Sequence, residues 1–166
     1  MNWREAFFQQ AQSDYRVLCK MEDDGKIEES HRLHYLQMMT EKLAKGYFAD
    51  LSPDSPPPKA THAALVNLLQ MLKQLSHVRR RLGMEDAHRF TAYIDSLLPL
   101  AGQIQSLAPA IAGTQAPNPE YPWYDKASKS VLTPCQYPFT QFSTCSRQMM
   151  RLTALIRQLL LIGSDI

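Results

Sequence analysis

Apolar residues recur at every third or fourth position in five separate segments of this chain. In the first segment they are Trp3, Phe7, Ala11, Tyr15 and Leu18. This spacing places apolar side chains on one face of a helix, whereas a half-buried strand needs an apolar residue at every second position. No segment shows clear alternation, so we predict an all-α protein without strands. Amphipathic helices joined by short connections favour an antiparallel bundle, here of four to five helices.

Glycine and proline set the predicted helix boundaries. Gly25 ends the first helix, and the second is predicted to span about residues 28–48. The connector at residues 50–60 is rich in proline, which lacks a backbone donor and disfavours helical geometry in the residue before it. Beyond this connector, Thr61 is the expected N-cap of a third helix that continues to Gly83.

The second half of the chain carries two more predicted helices around a long connection. The fourth helix begins near Ala87 and is expected to break or kink at Pro99. The last helix is predicted over about residues 139–162, with Gly163 as its cap. Between these helices, residues 116–138 hold five of the eleven prolines and several aromatic residues. Because a structureless connection of this length is uncommon, we expect an ordered loop or lid.

Length and composition narrow the class of protein. A chain of 166 residues with 45% hydrophobic and 20% charged residues suits one globular domain, which we place at residues 1–166. No apolar run approaches the roughly 20 residues that cross a bilayer, and the N-terminal sequence lacks the apolar block of a secretory signal. We therefore expect a cytoplasmic protein without a membrane partner. The formal net charge of +2 is too small to indicate nucleic-acid binding by itself.

The three cysteines do not form a recognisable site. Cys19, Cys135 and Cys145 include no close C-x-x-C pair, and one is left over after any pairing. Neither a disulfide framework nor a thiolate zinc site is indicated. Each cysteine is therefore expected to be a small buried hydrophobic residue, and we predict no metal and no cofactor.

The stretch HYLQMMTEKLAKGYF in the second helix has an ordered polar face. Its residues Gln37, Glu41, Lys42, Lys45 and Gly46 resemble the second-helix signature of the HEPN family, small helical domains found in prokaryotic toxin, antitoxin and defence loci. On spacing alone, Glu41 and Lys45 form an ordinary i, i+4 pair on a solvated helix face. The order of the residues favours the family.

Two further segments support the resemblance. A Thr–His pair follows a proline at Thr61 and His62, as at the start of the third helix in the family. The sequence Glu120–Tyr121–Pro122 is similar to the family's Arg-Tyr-Pro element before the final helix, although glutamate replaces the arginine. The resemblance spans most of the chain and implies a protein that acts on or binds RNA in a toxin-antitoxin or defence system.

HEPN ribonucleases resemble one another in an arginine followed, after four to six residues, by a histidine. Here Arg81 and His88 are separated by six residues. Metal-independent RNA cleavage needs a group that exchanges a proton with the ribose hydroxyl or the leaving oxygen, and a cation that neutralises charge on the phosphate. His88 fits the first role and Arg81 the second. A position near the start of a helix also disfavours imidazolium, which suits a general base.

The same two residues have a non-catalytic interpretation. His88 can cap or pack at a helix start while Arg81 points to water, and Leu82 stands where catalytic relatives usually carry a polar residue. Branches of the family without the nuclease motif act as nucleotide-binding or RNA-binding partners, for example beside a nucleotidyltransferase. We therefore leave open whether the chain is an endoribonuclease with a cognate antitoxin or a non-catalytic accessory subunit.

Two further groups of residues suit contact with RNA. Four cations fall on one side of the predicted third helix: Lys73, His77, Arg80 and Arg81. Such a basic ridge can follow a phosphate backbone. Three aromatic residues that can stack on exposed bases lie close together in the long loop: Tyr121, Trp123 and Tyr124. In the alternative interpretation, the ridge is a solvated outer face and the aromatic residues anchor the loop to the core.

Two other classes of function are alternatives to an RNA-directed protein. The family resemblance implies a homodimer, and a protein-interaction module would use four methionines: Met38, Met39, Met149 and Met150. A ferritin-like di-metal site is suggested by two Glu-x-x-His elements, at residues 28–31 and 85–88. Such a site also needs a carboxylate from each of the other two helices, and no Asp or Glu occurs between Ser55 and Met84.

Overall fold

The computed structural model describes residues 1–50, 52, 56, 64–113, 116–142 and 146–164, and these residues form eight α-helices and one small β-hairpin. The helices are α1 (Trp3–Asp23), α2 (Glu29–Phe48), α3 (Ala64–Leu72), α4 (Ser76–Arg81), α5 (Ala87–Asp95), α6 (Leu98–Ser106), α7 (Pro109–Ala112) and α8 (Arg147–Ser164). The strands are β1 (Trp123–Asp125) and β2 (Ser130–Leu132). The predicted predominance of helix is confirmed. Within the described ranges, no helix combines the length and the hydropathy that a membrane span requires.

α1 and α2 form an antiparallel helical hairpin, as the sequence predicts. α1 begins with a capping box, in which the side chains of Asn2 and Glu5 each accept the backbone N–H of the other residue. Near the start of α1, the ring of Phe8 lies against Gly46 at the end of α2. The two helices therefore run in opposite directions and share one buried apolar face.

The predicted third helix is two helices. α3 ends at Leu72 and α4 begins at Ser76, with a hydrogen-bonded turn between them. α3 buries a stripe of leucines, whereas α4 buries only Val78. The prediction of one continuous helix to Gly83 is therefore wrong. Because α4 has a single apolar anchor, nothing requires it to extend the buried face of α3 in a straight line.

α5 and α6 replace the predicted fourth helix, and the expected break at Pro99 is confirmed. α5 ends at Asp95, and Pro99 is the second residue of α6, where a missing backbone donor is tolerated. α6 packs against α3, and the side-chain oxygen of Gln105 accepts the backbone N–H of Val66 at 2.8 Å. This side-chain acceptor pairs one of the N–H groups at the start of α3.

The segment before the last helix contains a β-hairpin. Trp123 pairs with Leu132, and Asp125 pairs with Ser130. The carboxylate of Asp125 also accepts the backbone N–H of Ser128, at 2.8 Å, within the connecting turn. The prediction that the chain has no strand is therefore wrong. Each strand is only three residues long, which is too short for an alternating pattern to be recognised.

The start and the end of α8 both differ from the prediction. The helix begins at Arg147, because residues 140–142 form a separate 3₁₀ turn. At the other end, α8 continues to Ser164, so Gly163 lies within the helix and is not its cap. Gly163 provides space for the ring of Phe8. α8 therefore runs antiparallel to α1, with its last turn against the first turns of α1.

The cysteines only partly follow the prediction. Cys19 is half-buried in α1, and Cys135 is exposed in the 3₁₀ turn Pro134–Gln136. The expectation of a buried hydrophobic residue is therefore wrong for Cys135. Cys145 lies outside the described residues.

Candidate nucleic-acid interface

α4 ends in a Schellman motif centred on Gly83. The N–H of Gly83 donates to the carbonyl of Arg80 at 2.9 Å, and the N–H of Met84 donates to the carbonyl of Arg79 at 3.1 Å. Gly83 has a φ of +69°, a left-handed conformation that suits glycine because it has no Cβ. The two predicted catalytic residues thus belong to two short helices, α4 and α5, that are joined by this tight turn.

The cations around Gly83 are mostly exposed. We define the basic turn by six residues: His77, Arg79, Arg80, Arg81, His88 and Arg89. Val78 holds one side of α4 to the core, and it leaves Arg80 and Arg81 exposed. Arg79 is half-buried. Since α4 contains no acidic residue, its positive charge is not neutralised within the helix.

The charge of Arg81 also reaches a tyrosine whose hydroxyl links two long helices by a hydrogen bond. The hydroxyl of Tyr47 on α2 donates to the carbonyl of Leu159 on α8 at 2.9 Å. Burial raises the pKa of Tyr47, and the positive charges of Arg4 and Arg81 oppose that rise. Arg81 therefore lies near the end of the bundle where α1 begins and α2 ends.

Asp86 caps α5 and stands beside His88. Its carboxylate accepts the N–H of Arg89 at 3.1 Å and that of His88 at 2.8 Å. Hydrogen bonds from these two backbone groups, first that of Arg89, lower the pKa of Asp86, and the charges of both side chains act in the same direction. The carboxylate of Asp86 is thus engaged by the first turn of α5.

The predicted basic ridge is divided by the structure. Lys73 lies in the turn between α3 and α4, and its Nζ is 2.5 Å from the Oδ1 of Asp95 on α5. Its charge is thereby paired, and its side chain is only 17% exposed. The expectation of one continuous ridge along a single helix is wrong, whereas His77, Arg80 and Arg81 remain together on α4 and all three are exposed.

The three aromatic candidates separate into one buried and two exposed residues. Trp123 is 2% exposed and packs edge-on against Tyr137, with ring centroids 5.0 Å apart, and against Phe139. Trp123 therefore anchors the hairpin to the core and is not available to stack on a base. Tyr121 and Tyr124 are 56% and 45% exposed, so their rings can be reached from solvent.

The polar face of the HEPN-like stretch holds α1 and α2 together. The Oε2 of Glu41 accepts from Gln37 at 3.1 Å, and its Oε1 accepts from Lys45 at 2.5 Å. Lys42 reaches across to α1, where its Nζ is 2.5 Å from the Oδ2 of the buried Asp14. The face is therefore a network of structural contacts that includes the ordinary i, i+4 pair.

Glu120, at the position where the family usually has arginine, contacts the same helix. Its Oε2 lies 3.7 Å from the Nδ1 of His34 on α2. The fully buried side chain of Asn118 accepts the N–H of Glu120 and of Tyr121, which fixes the turn that presents the carboxylate. Two residues of the resemblance lie outside the described ranges: Thr61 and His62.

Three residues at or beside the basic turn are absent from the sequence prediction: Arg79, Asp86 and Arg89. Asp86 was detectable as an N-cap, because an aspartate directly before an apolar periodic segment is a common helix start. Arg89 follows His88 directly and has a side chain that is 90% exposed. It adds a cation to the second side of the turn, although it lies 3.6 Å from Asp86.

The arrangement presents donors for phosphate oxygens. Within the described ranges, no three His, Cys, Asp or Glu residues are placed to hold an ion together, and Glu28 and His31 form an exposed pair at 3.9 Å. No family model, no curated protein and no solved structure matches this chain. The HEPN resemblance therefore rests on the sequence motifs alone.

Proposed function

We propose that this protein is a HEPN-like RNA-binding domain that contacts phosphates through the basic turn. The observation that carries the proposal is the acid-free helix α4, on which Arg80 and Arg81 are both exposed. Guanidinium groups bind phosphate oxygens through planar, charge-assisted hydrogen bonds. Such contacts supply most of the affinity of a protein for a nucleic-acid backbone.

The charge balance of the region supports an anionic ligand. Residues 76–89 contain four arginines and two histidines against two carboxylates, those of Glu85 and Asp86. Asp86 is occupied by the backbone of α5, so it neutralises little of the charge on α4. The exposed rings of Tyr121 and Tyr124 add surfaces on which unpaired bases can stack.

One observation favours metal-independent cleavage of RNA as a second candidate function. Arg81 and His88 are both exposed, on two helices that flank the turn at Gly83. A ribose hydroxyl at His88 and the adjacent phosphate at Arg81 would then receive the proton acceptor and the cation that cleavage requires. Binding requires only exposed cations, whereas cleavage also requires Arg81 and His88 to engage one nucleotide together, so RNA binding without cleavage is the first candidate.

An incubation with labelled single-stranded RNA in a chelating buffer tests both candidates. We expect the wild-type protein and His88→Ala to bind the RNA without cleaving it. The double variant Arg80→Gln/Arg81→Gln should bind much less RNA. RNA cleavage that is lost in His88→Ala would instead support the nuclease. If the wild-type protein neither binds nor cleaves the RNA, the proposal is contradicted.

The biological setting in the proposal comes from the resemblance of the sequence to HEPN domains. It is a cytoplasmic prokaryotic toxin-antitoxin or defence system, with the protein as a homodimer or beside a cognate antitoxin or nucleotidyltransferase. Met39 and Met149 are core residues, whereas Met150 is 55% exposed, so a dimer surface made of all the predicted methionines is not supported. Sedimentation equilibrium of the purified chain measures whether it forms the dimer.

A further inference from the structure

α1, α2 and α8 enclose a cleft that the proposed function does not use. Its volume is about 410 Å³, and its lining includes Tyr15, Glu22, Arg32, Met149, Thr153 and Arg157. This volume falls within the usual range of small-molecule sites, roughly 300–1,000 Å³. Two further residues, Met150 and Ala154, add apolar surface to the lining, whereas the core residues Leu18, Leu33 and Phe142 line a separate cavity of only about 10 Å³. The cleft therefore combines a polar mouth with a few apolar side chains.

The polar groups of the cleft include an incompletely paired arginine. One terminal nitrogen of Arg32 donates to the carbonyl of Ile27 at 2.6 Å, and the other lies 3.6 Å from the Oε2 of Glu29. Its Nε is buried and has no hydrogen-bond partner, and the same is true of the Oε1 of Glu29. The Nε is closed to solvent, so Arg32 contributes its positive charge to the cleft and no hydrogen-bond donor from this atom.

A second arginine and a phenol complete the mouth. Desolvation, and after it a hydrogen bond with Cys19, raise the pKa of Tyr15, and the charge of Arg157, which is exposed on α8, opposes the rise. The Tyr15 hydroxyl is therefore a neutral donor at ordinary pH, close to a guanidinium. The lining thus carries two guanidinium groups, those of Arg32 and Arg157, and one carboxylate, that of Glu22, which lies near Arg32.

We infer that this cleft binds a small organic monoanion, most suitably a carboxylate with an apolar body. Its head would accept hydrogen bonds from Arg157 and Tyr15. Its body would pack against Met149, Met150 and Ala154, since methionine adapts to irregular shapes. The inference does not depend on RNA binding, because none of the cleft residues belongs to the basic turn.

A fluorescence titration with 8-anilinonaphthalene-1-sulfonate, an organic monoanion with an apolar body, tests the inference on the full chain. Octanoate should displace the dye. Inorganic phosphate, which lacks an apolar body, and octanol, which lacks a charge, should displace it much less. Displacement by phosphate at similar concentrations, or by octanol as well as by octanoate, would overturn the assignment to an apolar carboxylate.

Charge variants at the mouth should change dye affinity in opposite directions. Arg157→Gln removes a charge-assisted donor and should weaken binding about tenfold, as expected for loss of about 1.4 kcal/mol. Glu22→Gln removes a negative charge and should strengthen binding severalfold. Arg16→Gln, an equal charge change at an exposed residue outside the cleft lining, should leave the affinity unchanged.

A steric variant separates the cleft from other apolar surfaces that bind such dyes. Ala154 is exposed and lines the cleft, so Ala154→Phe should fill the space without disturbing the core. We expect dye binding to be lost while the thermal unfolding midpoint stays unchanged. Wild-type affinity in both Ala154→Phe and Arg157→Gln, or no dye binding by the wild-type protein, would contradict the inference.

Discussion

A Cβ atom placed on Gly163 would lie 2.1 Å from the Cε1 of Phe8, so the ring of Phe8 fills the space that any other residue at this position would occupy. The same ring lies 3.2 Å from the corresponding position on Gly46. Phe8 is 3% exposed. One aromatic side chain of α1 thus packs against glycines on α2 and α8, and the three long helices approach closely at this end of the bundle.

Gly163→Ala is therefore expected to destabilise the protein by about 1–3 kcal/mol, the usual cost of forcing extra atoms into a packed core. The measurement is the free energy of unfolding from urea titration. Gly102→Ala is the matched control, because Gly102 lies within α6 and a Cβ there meets nothing within 4 Å. That control should be stabilised by about 0.5–1 kcal/mol. An equal effect in both variants would contradict the close approach of Phe8.

The buried carboxylate of Asp14 should be needed for the contact between α1 and α2. Asp14→Asn leaves Lys42 without its partner charge and is expected to destabilise the fold by about 3 kcal/mol. The double variant Asp14→Leu/Lys42→Met replaces the pair by apolar side chains and should recover much of that loss. Urea titrations of both variants measure the difference. A double variant less stable than Asp14→Asn would show that the pair is not the reason for the loss.

Glu22 should make the folding stability depend on pH. Burial raises its pKa from the ordinary value of 4.5, with Arg32 opposing the rise. The folded state then keeps this proton to a higher pH than the unfolded state, so the free energy of unfolding falls as pH rises above about 4.5. Glu22→Gln should be more stable than the wild-type protein near neutral pH, and the difference should vanish below about pH 4. A difference that grows towards acid pH would contradict a raised pKa.

Substitutions in the β-hairpin should distinguish an aromatic residue that stabilises the fold from one that is free to bind a ligand. Trp123→Ala removes a buried indole and is expected to lower the free energy of unfolding by about 3–5 kcal/mol. Tyr124→Ala, one residue further on the same strand, should change stability by about 1 kcal/mol or less, because this residue is 45% exposed. In the proposed function it should also weaken RNA binding. Comparable destabilisation by both variants would be inconsistent with their different burial.

Helices that carry one long apolar face could be predicted from the sequence, whereas a break between two helices that share the same apolar period could not. α1 and α2 each keep one apolar face over about twenty residues, so periodicity is sufficient to locate them. Leu72 and Leu75 preserve the same period across the turn that separates α3 from α4, and the pattern therefore hides the break. Gly163 was misassigned because a glycine after an apolar stripe commonly ends a helix, and its contact with Phe8 is remote in sequence.

In the candidate site, too, features formed by residues close in sequence could be predicted, whereas contacts between residues far apart in sequence could not. The spacing of Arg81 and His88 can be detected in the sequence, and so can the N-cap at Asp86. The pairing of Lys73 with Asp95 joins two helices and leaves no local pattern. Only folding brings the cleft between α1, α2 and α8 together, from residues more than one hundred positions apart.

The salt dependence of RNA affinity tests the role of the basic turn most directly. Each phosphate contact to single-stranded nucleic acid contributes about 0.7 to the slope of log K against log salt concentration. Loss of two contacts in Arg80→Gln/Arg81→Gln should therefore reduce the magnitude of that slope by about 1.4. The matched control is Lys20→Gln/Lys26→Gln, which neutralises two exposed cations towards the far end of the α1–α2 hairpin, roughly 30 Å long.

We predict that fluorescence anisotropy with labelled single-stranded RNA will show weaker binding and the smaller slope for the arginine variant. The lysine variant should behave like the wild-type protein. The same affinity and slope in the arginine variant as in the wild-type protein, or an equal loss in both variants, would contradict a specific phosphate-binding role for the basic turn.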